Sequence, residues 1–156
     1  TPVVAAVGGP AVAGGCGLAM SCDLVVASEA AWFAYPEVRR GLVAALVMVN
    51  LQRHVARRTA LELLLTGRRV EAAEAVALGM ANELVAPGAE IERACERAAE
   101  IAAHPPEAVA LTKELFMCVG DVPYDAALRH ARGVSLLMRR GEEARAGAAA
   151  FLGESR

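Results

Sequence analysis

The stretch Val3-Val4-Ala5-Ala6-Val7-Gly8-Gly9-Pro10-Ala11-Val12-Ala13-Gly14-Gly15-Cys16-Gly17-Leu18-Ala19-Met20-Ser21-Cys22-Asp23 decides the fold class. The β-branched and alanine run Val3 to Val7 predicts a buried strand, stopped by the turn Gly8-Gly9-Pro10. Ala11 to Gly17 follows as a glycine loop. Leu18 to Cys22 carries no helix breaker and predicts a helix closed by Asp23. Leu24 to Ala27 predicts a second buried strand, and Ala31 to Tyr35 a third extended piece before Pro36. Strand, glycine loop, helix, strand, strand is an α/β pattern.

Downstream, from Leu42 onward, the pattern turns helical. Thr59 to Thr66 and Glu71 to Leu78 predict helices, with Gly67 and Gly79 placed where left-handed caps belong. Asn82 to Ala86 predicts a brief strand before Pro87-Gly88. Ile91, Ala94, Cys95, Ala98, Ala99 and Ala102 form an apolar stripe at helical spacing, with Glu and Arg on the other faces. His104-Pro105-Pro106 breaks that helix, and Glu107 to Val119 predicts the next. Ala127, Ala131, Val134 and Met138 make a last stripe. The mostly helical tail is expected to pack back on the first part or to serve as an oligomer interface.

The 156 residues suit one domain with a real core. Of these, 56% are apolar and only 4% aromatic, so the core is built from Ala, Val and Leu. A net charge of −2 with interspersed signs gives no electrostatic case for nucleic acid or an anionic membrane. The longest apolar run, Leu42 to Val49, is far short of the ~20 residues a bilayer span needs. Thr1-Pro2 begins no charged leader. Cys16, Cys22, Cys95 and Cys118 are scattered, as are His54, His104 and His130. They are read as small thiols of a reducing cytoplasm and dispersed imidazoles, not as a metal or disulfide framework.

Two places can carry chemistry. Gly14 and Gly15 let a backbone approach a ligand closely, and a helix starting there would aim unpaired N–H groups at a phosphate or an oxygen gaining negative charge. Tight packing between strand and helix is the other reading of the same pair. Met20 stands where a dinucleotide fingerprint needs Gly or Ala, and no Gly-Lys-Ser/Thr follows, so both nucleotide fingerprints fail. The second place is Glu37, after the Pro36 turn and between apolar stretches. It either faces a pocket, fit for proton transfer, or is an exposed glutamate at a helix start. Arg39 and Arg40 are read as solvated, Asp23 as capping a chain turn and Lys113 as a helix-surface lysine. No serine sits in a G-x-S-x-G elbow.

Taken in order, Pro2 to Cys16, Cys22-Asp23-Leu24, and Phe33-Ala34-Tyr35-Pro36-Glu37 with Gly41 resemble the signatures of the enoyl-CoA hydratase/isomerase (crotonase) family. Leu64-Leu65-Thr66-Gly67, Ala72-Ala73-Glu74-Ala75 and Leu78-Gly79-Met80-Ala81-Asn82 extend the likeness over most of the chain. The resemblance implies an α/β, crotonase-like spiral of ββα turns. Residues 1–86 would form the C-terminal part of the spiral core with the oxyanion loop, and residues 87–156 a helical trimerisation region. It implies an acyl-CoA substrate whose thioester oxygen meets two backbone N–H groups, one of them Gly14's. Glu37 would transfer the proton, while Ala13, Gly17 and Pro36 shape the acyl pocket. No metal or redox cofactor is implied, since coenzyme A arrives with the substrate. A homotrimer or dimer of trimers in the cytoplasm is expected.

Two departures stand out. The family's hydratases usually carry a second glutamate where Gly17 stands. Single-glutamate isomerases are known in the family, and so are members described as hydratases with glycine there. The family's upstream region, with the other oxyanion donor and much of the adenine-nucleotide pocket, does not precede Thr1, so part of the fold is expected to be missing. A non-catalytic acyl-CoA binder or scaffold, and a fragment that folds only with a partner chain, are the rival readings.

Overall fold

The structure is a computed structural model describing residues 1–139, Gly141 and Gly153. The remaining part of the expected C-terminal region, residues 140, 142–152 and 154–156, lies outside the described residues. Two compact units are present: Val3–Ala99, and Thr1–Pro2 with the described residues from Glu100 onward.

Within the first unit, strand β1 (Val4–Val7) pairs parallel with β3 (Leu24–Ser28), which pairs parallel with β6 (Glu83–Val85). A second sheet sets β2 (Pro10–Val12) parallel to β4 (Trp32–Ala34), with β5 (Val70–Glu71) antiparallel on the other side of β4. The register Ala6↔Val26 and Ala11↔Phe33 fixes which side chains face the core. That core centres on Phe33, Tyr35, Leu51, Leu63, Val70 and Met80, all nearly inaccessible.

Four helices complete this unit's first 80 residues: α1 (Gly14–Ala19), α2 (Val47–His54), α3 (Arg57–Thr66) and α4 (Ala72–Leu78). Gly67 (φ 59°) and Gly79 (φ 83°) cap α3 and α4 in the left-handed conformation, as the sequence predicts. Asp23 pins the start of the first sheet: its Oδ2 accepts the Val3 N–H at 2.6 Å. Asn82 does the same at the far side, accepting the Val25 N–H at 2.8 Å.

Several boundaries differ from the sequence reading. The first helix starts at Gly14 and ends at Ala19, not over Leu18 to Cys22, because the glycines themselves form its first turn. Pro10–Val12, read as loop, is a strand, since its amides find Trp32–Ala34 as a partner edge. The helix after Leu42 begins only at Val47, and Glu71 belongs to β5 before α4 begins.

Helix α5 (Glu90–Ala102) carries the predicted stripe only in part: Ala94 is buried while Ile91 and Cys95 are exposed. Arg93 and Arg97 hold it to β6 by ion pairs with Glu83, whose carboxyl they keep below the usual carboxylate range. In the second unit α6 (Pro106–Val119) packs on α7 (Tyr124–Met138). The α7 stripe Ala127, Ala131, Val134 and Met138 is its half-buried side. Phe116, Met117, Tyr124, Leu128, Leu136 and Leu137 remain exposed. No helix of the described residues is long and apolar enough to cross a membrane.

Candidate active site

The site grows from the second sheet. β2 ends at Val12 opposite Ala34, and the next amide, Ala13 N–H, donates to the Ala34 carbonyl at 2.9 Å. Ala13 then takes φ 51°, the one positive φ among the described non-glycine residues. Such a torsion is costly for an L-residue and persists only where its surroundings hold it. Here the Ala13 amide is held by Ala34 and its carbonyl accepts the Gly17 N–H at 2.9 Å. The bend turns the chain abruptly from strand to helix.

As a result, Gly14 and Gly15 open α1 at the surface, with their amides unpaired among the described residues. A Cβ built at either glycine meets nothing within 4 Å, so a ligand atom can approach that backbone. Free donors are the normal state of a helix start, and they favour an oxygen that carries negative charge.

On the other strand, β4 continues through buried Tyr35 and half-buried Pro36 into a 3-10 turn, Glu37–Arg40. Gly67 supports that turn: a Cβ there would lie 3.1 Å from Pro36 Cα and 3.2 Å from the Tyr35 carbonyl. Arg39 is not simply solvated, because its Nε donates to the Thr66 carbonyl at 3.0 Å and ties the turn to the end of α3. Glu37 is half-buried, and its Oε2 is enclosed with no hydrogen-bond partner among the described residues. An enclosed, unpaired carboxylate oxygen is unfavourable and is an exception among buried polar atoms.

Gly17 sits one turn into α1 and is buried. A Cβ at this position would collide with Val47 Cγ1 and lie 2.9 Å from Val47 Cβ. The place a side chain would occupy is therefore filled from α2. Asn50 Nδ2 donates to Ser21 Oγ at 2.6 Å, and Ser21 Oγ donates to the Gly17 carbonyl at 2.8 Å, fastening the same two helices.

Sequence reasoning passed over three neighbours. Cys16 on α1 and Tyr35, the residue after β4, lie fully inside, and the Cys16 thiol is in electrostatic reach of the Tyr35 hydroxyl and the Glu37 carboxylate. Burial pushes that thiol up to about 11, and the Tyr35 phenol is driven above its usual range, first by burial and then by Cys16. Val47 is the third. The only advance signal was the Tyr35 hydroxyl, a polar group inside an otherwise apolar run in a chain with two tyrosines. Among the described residues no group of three His, Cys, Asp or Glu side chains could hold a metal ion.

A family model described as enoyl-CoA hydratase/isomerase matches residues 1–154. A protein of Thermus thermophilus that carries a provisional enoyl-CoA hydratase name is 47% identical over 96% of this chain and 59% of its own length. The (E)-benzylidenesuccinyl-CoA hydratase of Thauera aromatica is 34% identical over 99% of this chain and 60% of its own length. Among solved structures, an enoyl-CoA hydratase of Mycobacterium smegmatis superposes with a TM-score of 0.95 at 36% identity, covering 99% of this chain and 60% of that one. The chain thus spans about 60% of the length of these relatives. The α/β architecture with small sheets is that of the crotonase-fold structures.

Proposed function

Because the chain belongs to the enoyl-CoA hydratase/isomerase family, we propose that it acts on acyl-CoA thioesters by stabilising an enolate-like oxyanion, with Glu37 as the proton-transfer residue. The amide of Gly14 is one oxyanion donor, and a second is expected from the remainder of the family fold. Ala13, Gly17 and Pro36 shape the surroundings of the acyl chain. Coenzyme A enters as part of the substrate, and the proposed chemistry calls for no metal or redox cofactor.

The observation that carries this reading is the enclosed, unpaired Oε2 of Glu37, in the turn that follows β4, whose partner strand β2 leads directly into the open amides of Gly14 and Gly15. Charge develops on the thioester oxygen as the α-proton leaves. An oriented backbone donor lowers that barrier by ~3–4 kcal/mol. A carboxylate that accepts the α-proton, or returns it at the γ-carbon, contributes roughly a hundred- to ten-thousand-fold. Hydration and double-bond isomerisation both draw on this step. The covered Gly17 supports a site with one carboxylate, and isomerisation requires only one.

The same covered Gly17 favours a second reading, a family member that binds acyl-CoA without turnover. For assembly, the exposed apolar side chains of α6 and α7 support a homotrimer or dimer of trimers formed through the region 87–156. A cytoplasmic site of action is part of the proposal.

The test is turnover of a short-chain 2-enoyl-CoA by the full-length protein and its Glu37→Gln variant. The proposal expects a hundred- to ten-thousand-fold loss in kcat with acyl-CoA binding kept. Equal turnover in the two proteins removes Glu37 from the mechanism, and binding without any turnover in either supports the second reading.

A further inference from the structure

Only two enclosed side-chain polar atoms lack a hydrogen-bond partner among the described residues, and they belong to residues two positions apart: Tyr35 Oη and Glu37 Oε2. Buried polar atoms in folded proteins are nearly all paired, with protein or with an enclosed water. Both groups are within electrostatic reach of the buried Cys16 thiol, and Glu37 within reach of Tyr35, so the two orphans point to one shared partner rather than two independent faults. A phenylalanine would fill the Tyr35 position equally well on packing grounds, since the residue is 1% exposed and surrounded by the apolar core. The hydroxyl is an added polar group in a setting that penalises it. Cys16 Sγ, also fully buried, is the neighbouring side chain on α1, and a thiol is a weak donor and acceptor. Its weak polar contact with the Tyr35 hydroxyl leaves that hydroxyl and Glu37 Oε2 short of a full hydrogen bond from an oxygen or nitrogen partner.

We propose that Tyr35 is a positioning residue for Glu37, its hydroxyl and Glu37 Oε2 sharing one enclosed water molecule beside the Cys16 thiol. The Tyr35 O–H donates to the water, and the water donates to Oε2. This leaves Oε1 free to meet the substrate and holds the carboxylate in one rotamer. Pro36 between the two residues restricts the backbone, and Arg39 ties the same turn to the Thr66 carbonyl, so the pair is set on a rigid frame. The inference rests on the proposed role of Glu37 as proton-transfer residue, but it fails separately from it.

The experiment measures kcat, KM and thermal midpoint for the full-length protein and its Y35F, E37Q and Y35F/E37Q variants on a short-chain 2-enoyl-CoA. Phenylalanine keeps the ring, so Y35F is expected to fold. The expected result is a tenfold or larger fall in kcat for Y35F with KM within twofold, no rise in thermal midpoint, and no further loss when Y35F is added to E37Q. An unchanged kcat together with a raised midpoint shows a hydroxyl that was merely unpaired and overturns the proposal. So does a multiplicative loss in the double variant. If E37Q itself turns over at the parent rate, the fault lies in the role given to Glu37. A crystal structure of the unliganded protein gives the second check: ordered water between Tyr35 Oη and Glu37 Oε2 supports the proposal, and its absence at high resolution overturns it.

Discussion

Gly17 on α1 backs directly on Val47, the first residue of α2, so closely that a Cβ at position 17 would lie 2.9 Å from Val47 Cβ. Valine is branched at that carbon and has few rotamers to yield. Gly17→Ala is therefore expected to destabilise by about 1–3 kcal/mol, the usual cost of overpacking. Gly17→Glu is expected to cost more and to gain no hydration by itself. Combining Gly17→Glu with Val47→Ala should recover part of the stability, because the collision is with that side chain. Chemical denaturation of the single and double variants checks this, and a double variant no more stable than Gly17→Glu contradicts the interlock.

Gly67 combines two constraints, a left-handed φ of 59° and close approach to the turn that carries Glu37. Gly67→Ala is expected to cost about 1–3 kcal/mol for the torsion alone. Since the new methyl would press on Pro36 Cα, Arg39 Nε and the Tyr35 carbonyl, kcat should also fall several-fold at temperatures where the variant is fully folded. Unfolding curves and steady-state rates on the same samples separate the two effects. Lost stability with unchanged kcat would mean the turn absorbs the displacement.

The Cys16 thiol is pushed up to about 11 from an ordinary value of 9.0, first by burial. The unfolded chain loses this proton near 9.0 while the folded one holds it to about 11, so its contribution is complete below pH 9 and is lost as pH rises towards 11. Stability should therefore decline across that window, and Cys16→Ala should flatten the decline. At pH 8 a thiol-specific disulfide reagent should modify the exposed Cys95 and Cys118 quickly and Cys16 only on unfolding. Rapid modification of Cys16 in the folded protein would contradict its burial.

The sequence is most informative where a residue does one local job. Gly67 and Gly79 follow helical runs, and both cap them with positive φ. Leu24 to Ala27 is β-branched and apolar, and it is the central strand of its sheet. Legibility stops where a partner distant in sequence decides. Pro10–Val12 looks like loop until Trp32–Ala34 supplies its edge, and Gly17 looks like a helix glycine until Val47, 30 positions on, is seen to need its space. The site divides the same way. Glu37 and Gly14 stand out by type and spacing, whereas the strained Ala13, the enclosed Tyr35 hydroxyl and the Arg39 tie to Thr66 depend on long-range packing.

Proton abstraction next to the thioester can be watched without the rest of the reaction. In deuterated buffer, the full-length protein is expected to exchange the α-hydrogens of a saturated short-chain acyl-CoA, followed by proton magnetic resonance, and Glu37→Gln to slow that exchange at least a hundredfold. Exchange at the same rate in both proteins, with the variant folded and binding acyl-CoA, would contradict the role given to this carboxylate.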